Sequence, residues 1–251
     1  MAKQEGMIIV RGAVGNISYR RTGDGFQVGL KSKLNRDNVL SDKAFEQTRL
    51  VNREFGTAGK AGKLIRDAIM IQLKSAGDGK LAPRMQKILM QALKQDTTSD
   101  KGDRRPEKGE LGFLNGFEFN KSTEMQQIFL VQNVSSIDRA SGKVHVDIPD
   151  FTPSDVLMTP DGATHFRLVS AGCELDFPKN EYVLATAKSD VFSTGNDPVR
   201  AFSLETNVTA ASTFPIILVL GIRFYQLVNG KYLQLPGDKY NAMRLLKVDQ
   251  P

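Results

Sequence analysis

The chain has 251 residues, of which 40% are hydrophobic and 25% charged, and its formal net charge is +6. These values indicate a globular protein of one large or two ordinary domains and exclude a disordered chain. The sequence has neither an apolar run of about 20 residues nor a signal-peptide core, so we expect a cytoplasmic protein without a membrane span. Cys173 is the single cysteine, which excludes an intrachain disulfide and a cysteine-based metal cluster.

A β-hairpin is predicted over residues 16–31. Residues 17–21 and 26–30 alternate between apolar and polar side chains, as expected of strands with one buried face. Thr22-Gly-Asp-Gly25 between them is a strong turn signal. Gly12 and Gly15 mark an earlier turn, after a short apolar strand at Met7–Val10. These glycines match no dinucleotide fingerprint, because G-x-G-x-x-G is absent and no helix follows.

Two helical segments meet at a group of glycines. The first is predicted to begin at the N-cap Ser41 and to run to about Phe55, and the second runs from about Lys60 to Lys74. Glycines between or just inside these segments are Gly56, Gly59 and Gly62. They either break the helix, since each costs about 1 kcal/mol relative to alanine, or form a small face against which another helix packs closely. We favour a continuous or kinked helix with close packing.

The stretch from Gly56 to Lys63 resembles a phosphate-binding P-loop only in part. Five residues separate Gly56 from Gly62, where the P-loop motif has four, and Leu64 replaces the Ser or Thr that would bind magnesium. A helix precedes the stretch, whereas a P-loop follows a buried strand. We therefore expect no nucleotide site here and no cofactor.

Basic side chains along the same segment are the candidate anion- or partner-binding site. They are Arg49, Arg53, Lys60, Lys63 and Arg66. A row of guanidinium and ammonium groups would attract phosphates, so nucleic-acid binding is one interpretation. Glu46, Glu54 and Asp67 lie among the cations and would pair with some of them. No known RNA- or DNA-binding signature accompanies the row.

A polar segment separates two predicted domains. A third helix is predicted over Leu81–Lys94, which has one apolar stripe. Residues 97–110 follow it and contain two glycines and a proline, which predicts a linker or a long loop. Residues 1–96 would form a basic domain of hairpin and helices, and residues 111–251 an all-β domain.

Short strands separated by turns fill the C-terminal part of the chain. The predicted strands cover residues 116–120, 128–133, 143–148, 164–171, 173–177, 182–186, 201–208, 214–224, 225–235 and 240–248. Asn229-Gly230 is the strongest hairpin signal among them. In residues 143–148 the alternation places three apolar side chains inward and His145 and Asp147 outward. The expected fold is therefore α+β, with a hairpin and about three helices before an antiparallel β-sandwich or jelly-roll-like domain.

No catalytic or metal-binding motif is evident. The two histidines, His145 and His165, are too few for the usual zinc sites, and neither H-E-x-x-H nor G-x-S-x-G occurs. We expect no metal site and no enzyme. Because a Ser-His-Asp triad can assemble from residues distant in sequence, a hydrolase using either histidine is kept as a third hypothesis.

Three segments together carry a family resemblance. They begin at Gly12 (G-A-V-G-N-I-S-Y-R-R-T-G-D-G-F), at Ala44 (A-F-E-Q-T-R-L-V-N-R-E-F-G-T-A-G-K-A-G-K-L-I-R) and at Phe214 (F-P-I-I-L-V-L-G-I-R-F-Y-Q-L-V-N-G-K-Y). With these segments the chain resembles a family of uncharacterised proteins of Bacteroidota bacteria. The family tends to have a Phe-Tyr pair where this chain has Ser18-Tyr19. The resemblance implies a family assignment and brings no activity or catalytic residue with it.

Charge is distributed unevenly along the chain. Residues 1–96 contain 18 Lys and Arg against 9 Asp and Glu, whereas residues 111–251 contain 12 against 15. Unlike charges on the two parts favour contact between neighbouring copies of the chain. We therefore predict a non-enzymatic structural or interaction subunit that self-associates, and nucleic-acid binding by the basic helices is the alternative.

Overall fold

The computed structural model describes residues 2–3, 10–23, 25–31, 36–69, 78–235 and 241–251. The chain divides into two compact units, Met1–Leu50 and Val51–Pro251. This division falls inside a helix, whereas the predicted boundary was the segment 97–110.

The first unit contains a four-stranded antiparallel sheet. Its strands are β1 (Ala2–Lys3), β2 (Gly12–Val14), β3 (Ile17–Thr22) and β4 (Gly25–Leu30), in the order β1-β4-β3-β2. The predicted hairpin is β3–β4 and is confirmed. Across its turn the hydroxyl of Thr22 donates to the carbonyl oxygen of Gly25 at 3.0 Å. Residues 7–9 of the predicted first strand lie outside the described residues.

Helices follow the sheet. They are α1 (Arg36–Ser41), a 3-10 turn (Lys43–Phe45) and α2 (Glu46–Ala68). The prediction that Ser41 caps a helix is wrong, because Ser41 ends α1 and its hydroxyl donates to the carbonyl of Asp37. The cap is Asp42, whose carboxylate accepts a hydrogen bond from the backbone of Ala44 at 2.9 Å. Helix α2 runs without a break through its three glycines, and residues 70–74 of the predicted second helix lie outside the described residues.

Three further helices lie in the described part of the second unit. They are α3 (Leu81–Lys94), α4 (Met125–Ile128) and α5 (Pro153–Val156), with 3-10 turns at Pro106–Lys108 and Leu111–Leu114. Helix α3 has the predicted bounds. None of the helices in the described part of the chain combines the length and the apolar character needed to cross a membrane.

The strands of the second unit form two antiparallel sheets. They are β5 (Val134–Asp138), β6 (Lys143–Ile148), β7 (His165–Asp176), β8 (Glu181–Lys188), β9 (Phe192–Ser193), β10 (Phe202–Asn207), β11 (Ile216–Val228), β12 (Lys231–Gln234) and β13 (Ala242–Asp249). The smaller sheet has the order β10-β6-β5. The larger has the order β12-β11-β7-β8, with β13 paired to β11 and β9 paired to β7. The α+β class with sandwich-like antiparallel sheets is thus confirmed.

Two predicted strands are absent and two others are joined. Residues 116–120 make only an isolated bridge, from Glu118 to Arg244. Residues 125–128 form α4, so the strand predicted from residue 128 is wrong. The strands predicted at 164–171 and 173–177 are the single strand β7, because pairing with β11 continues through Gly172. The hairpin signal Asn229-Gly230 does connect β11 to β12, with positive φ at both residues.

Strand β11 lies between two hydrophobic layers. Its even-numbered side chains, from Ile216 to Phe224, face the smaller sheet, and Ile217 and Val219 face the helices. Gly172 of β7 permits a close approach of the two sheets, because a Cβ there would lie 2.7 Å from the hydroxyl oxygen of Thr206. The second unit therefore consists of three layers, with helices, the larger sheet and the smaller sheet in that order.

The helices before residue 97 and the strands after residue 111 share one core. Leu64, Met85 and Leu89 of the helices belong to the same buried cluster as Cys173 and Ile217 of the strands. Residues 97–110 are therefore a loop within one unit and not a linker between domains. The loop is held by buried carboxylates: Glu54 accepts a hydrogen bond from Gly102 at 2.8 Å, and Asp96 accepts four from residues 98–105.

Candidate interaction surfaces

One face of the N-terminal sheet is apolar and open. The cross-strand pairs Tyr19–Val28 and Ile17–Leu30 place these side chains on the same face. Leu30 is 82% exposed and Val14 64%. None of the side chains that the structure describes in the first unit is buried. Antiparallel sheets usually pack one face on a core, and this sheet lacks such a buried face among the described residues. We call the apolar face the sheet face: Val14, Ile17, Tyr19, Arg21, Phe26, Val28 and Leu30.

The same sheet is strongly basic. Its described residues include five cations, Lys3, Arg11, Arg20, Arg21 and Lys31, and no carboxylate. The guanidinium groups of Arg11 and Arg21 lie 5.5 and 5.8 Å from the ring centroid of Phe26, within the range of cation–π attraction. Apolar and cationic groups are therefore intermixed here, which suits a partner that is both apolar and acidic.

Two of the five predicted basic residues have partners of their own. In the first unit, Arg49 donates to the carbonyl oxygens of Val39 and Asp42 at 3.0 and 2.7 Å. In the second, Arg53 forms an exposed ion pair with Asp103 at 2.8 Å. Both guanidinium groups therefore have partners within the chain.

Lys60 and Lys63 are exposed and line one open cavity of about 510 Å³ together with Arg105. Glu107 lies in the same wall, and burial raises the pKa of its carboxyl group although Arg105 and Lys108 oppose this shift. Arg66 is half-buried and does not line this cavity. The predicted row thus contributes two lysines to a local cationic site, and Arg105, which sequence analysis did not select, supplies a third charge.

The three glycines of α2 have different surroundings. A Cβ at Gly62 would lie 3.2 Å from Leu89 and 3.6 Å from Met85, both on α3. A Cβ at Gly59 would lie 3.1 Å from the side chain of Gln86, also on α3. At Gly56 a Cβ would meet no atom of the described residues within 4 Å. Close approach of the helices therefore uses Gly62 and Gly59, and the structure shows none at Gly56.

Replacing Gly56 by alanine is expected to raise the free energy of unfolding by about 1 kcal/mol, because an exposed helix interior gains the alanine propensity without crowding. The Gly62→Ala variant is the matched control, since its new methyl group would press on Leu89. Urea unfolding of both variants measures the difference. Equal stabilisation by the two substitutions would contradict the assigned packing.

The two histidines belong to the second unit and do not line the cavity of Lys60 and Lys63. His145 and Asp147 do point away from the core, as predicted. The hydroxyl of Ser136 lies 3.2 Å from Nε2 of His145, and the carboxylate of Asp147 lies 3.5 Å from the same nitrogen. The same hydroxyl lies 3.3 Å from Nδ1, so it is directed at neither ring nitrogen alone. A catalytic triad needs its serine on the one nitrogen opposite to that of the carboxylate, so this arrangement does not favour a hydrolase. His165 contacts Thr164 and the ring of Tyr232.

Comparison with known proteins gives no match: no protein-family model, no curated protein and no solved structure is significantly similar to the chain. The resemblance to the Bacteroidota family therefore stays a prediction.

Proposed function

We propose that the protein is a non-enzymatic structural subunit that self-associates, with the sheet face as one contact surface. The observation that carries this proposal is the first unit's lack of a buried side chain among its described residues, although its sheet has an apolar face. A small sheet needs packing on its hydrophobic face for stability. A second copy of the chain would supply that packing.

The charge of the sheet favours contact with an unlike surface. Two sheet faces brought together would place like charges opposite each other, which is unfavourable. A different surface on the neighbouring copy gives a heterologous contact, and such contacts repeat into rings or filaments. The proposed subunit would therefore form an assembly larger than a dimer.

Replacing Leu30 by lysine is expected to weaken self-association about tenfold or more, because an exposed leucine buried at a contact contributes roughly 1.5–3 kcal/mol. Met158→Lys is the matched control, since Met158 is 61% exposed, lies in the second unit, and the substitution adds the same charge. Size-exclusion chromatography with light scattering measures both variants and the original chain over a concentration series.

Two outcomes of that series would contradict the proposal. One is an original chain that stays monomeric at tens of micromolar. The other is equal weakening by the Leu30 and Met158 variants, which would indicate a charge effect without a defined surface.

Nucleic-acid binding is the alternative function, and the cavity shared by Lys60, Lys63 and Arg105 favours it. Binding of this kind would weaken steeply as salt is added, because phosphate contacts release counterions. Light scattering on nucleic-acid-free protein, followed by titration with DNA and RNA at low salt, separates the two functions. A monomer that binds nucleic acid only at low salt would support the alternative.

A further inference from the structure

A small acidic pocket lies at the end of the β7–β8 hairpin in the second unit. Its volume is about 190 Å³, which is below the roughly 300 Å³ of typical small-molecule sites. It is lined by Glu174, Asp176, Lys179, Glu181, Tyr182, Val183 and Phe214. Three carboxylates therefore face one ammonium group, and the pocket has room for the charged end of a side chain.

Glu174 is the unusual member of this pocket. The residue is only 6% exposed, and its Oε2 atom has no hydrogen-bond partner among the residues that the structure describes. The neighbouring Asp176 is satisfied by Lys179, which donates its backbone N–H at 3.0 Å and places its ammonium group 3.7 Å away. Buried carboxylate oxygens without a partner are rare in proteins because their desolvation is not compensated. The free oxygen therefore indicates a missing donor.

The surroundings of the pocket complement the sheet face. Strand β8 is an edge strand, since β7 is its one paired neighbour within the described part of the chain. Tyr182 and Val183 on this edge are 45% and 47% exposed. The β8 edge thus combines apolar side chains with nearby carboxylates. The sheet face combines apolar side chains with guanidinium groups, so the two surfaces are complementary in charge. Arg21 has the required position, because it is exposed and pairs across the hairpin with Phe26 on the sheet face.

We propose that the Glu174 pocket receives the guanidinium group of Arg21 from a second copy of the chain. This inference rests on the proposed self-association and names its two unlike surfaces. A guanidinium group offers several N–H donors in one plane and can bind a carboxylate through two of them. Oε2 of Glu174 is closed to solvent in the structure, so the guanidinium group would bind it after a rotation of the Glu174 side chain. The group would also offset the negative charge of Asp176 and Glu181. In the described residues, no three carboxylate, histidine or cysteine groups are placed to hold a metal ion, so an organic cation fits better.

The first test compares assembly with stability in the Glu174→Gln variant. Loss of the carboxylate is expected to weaken self-association about tenfold, since a charged hydrogen bond at the contact is lost. The melting temperature of the variant should stay unchanged or rise, because the substitution removes a buried charge whose Oε2 atom has no hydrogen bond within the described residues. A structural role for Glu174 would instead lower the melting temperature. The matched control is Glu205→Gln, on the exposed side of β10, which should affect neither measurement.

The second test mixes two variants. A chain with Arg21→Glu keeps the acceptor pocket and loses the donor, and a chain with Glu174→Gln keeps the donor and loses the pocket. Each alone should be monomeric where the original chain assembles, and their mixture should form 1:1 dimers that grow no further. If Glu174→Gln does not fold, the exposed Glu181→Lys variant serves in its place.

The outcomes distinguish failure of the Arg21–Glu174 contact from failure of self-association itself. If Glu174→Gln and Glu181→Lys assemble like the original chain while Leu30→Lys does not, the pocket assignment is wrong and self-association stands. If the two single-site variants do not dimerise on mixing, Arg21 is not the donor. An original chain that never assembles overturns both proposals.

Discussion

Replacing Arg139 by alanine is expected to lower the free energy of unfolding of the second unit by about 3 kcal/mol. Arg139 follows β5, and its guanidinium group donates to the carboxylate of Asp249 at 2.7 Å and to its carbonyl oxygen at 2.9 Å. It also donates to the carbonyl oxygens of Ser212 and Phe214 at 2.6 and 2.8 Å. The Arg139 side chain thus links the end of β5, in the smaller sheet, to β13 and to residues 212–214, which precede β11.

The Arg139→Lys variant tests whether the hydrogen-bonding geometry of the guanidinium group or its positive charge provides the stability. A lysine keeps the charge but cannot reach several acceptors in one plane, so we expect it to recover less than half of the lost stability. Arg200→Ala is the control for removal of an exposed arginine and should change stability by no more than about 0.5 kcal/mol. Chemical unfolding measures all three variants. Full recovery by lysine would show that the number of hydrogen bonds at this position does not matter.

Replacing Asp96 by alanine is expected to cost about 3 kcal/mol and to release the loop after α3. One carboxylate oxygen of Asp96 accepts from the backbone of Thr98 and Ser99 and from the Thr98 hydroxyl, at 2.8 to 3.0 Å. The other oxygen accepts from the backbone of Arg105 at 3.1 Å. Removal of the carboxylate leaves these donors without their acceptor. Asp100→Ala, in the same loop but exposed, is the control.

The contribution of Asp96 to the free energy of unfolding is expected to fall as the pH is lowered. Burial would raise the pKa of this carboxyl group, but hydrogen bonds from Thr98, Ser99 and Arg105 outweigh burial and hold the pKa well below its ordinary value of 3.8. A lowered native pKa gives stability that is complete above the unfolded pKa and is lost as pH falls toward the native one. The stability gap between the original chain and the alanine variant should therefore be constant near neutral pH and narrow below about pH 4. A gap that widens on acidification would contradict this assignment.

The sequence predicted those elements of the fold whose signals are local. The turn at Thr22-Gly-Asp-Gly25 defined the first hairpin, Asn229-Gly230 defined another, and the alternation of residues 143–148 predicted a half-buried strand. The boundary was placed at 97–110 because the polar composition of this segment is typical of a linker, whereas the two compact units meet after Leu50. This loop is held in place by hydrogen bonds to two carboxylates, one on Asp96 next to the loop and the other on Glu54, 48 residues before Gly102. The composition of a segment does not reveal hydrogen bonds of this kind.

Prediction of the site was limited in the same way, because local patterns were visible in the sequence and contacts between distant residues were not. Arg53 was selected as a candidate anion- or partner-binding residue with acidic neighbours on its own helix, whereas its ion-pair partner Asp103 lies 50 residues away. The alternation of Ile17 and Tyr19 was visible in the sequence, but whether another element covers that face depends on the tertiary fold. Glu174 had no distinguishing pattern, since its lack of a hydrogen-bond partner is a property of the folded sheet.

Strand β13 constrains the order in which the second unit can fold during synthesis. Its backbone pairs with β11 and also contacts residues 116–119. Next to it, Gln250 accepts a hydrogen bond from the backbone of Leu111, 139 positions earlier. Contacts between such distant residues form slowly, and a ribosome releases the later residues last. Until β13 is synthesised, residues 216–222 of β11 therefore lack one of their two neighbouring strands. The helical layer completes its packing only after β13 has joined the sheet.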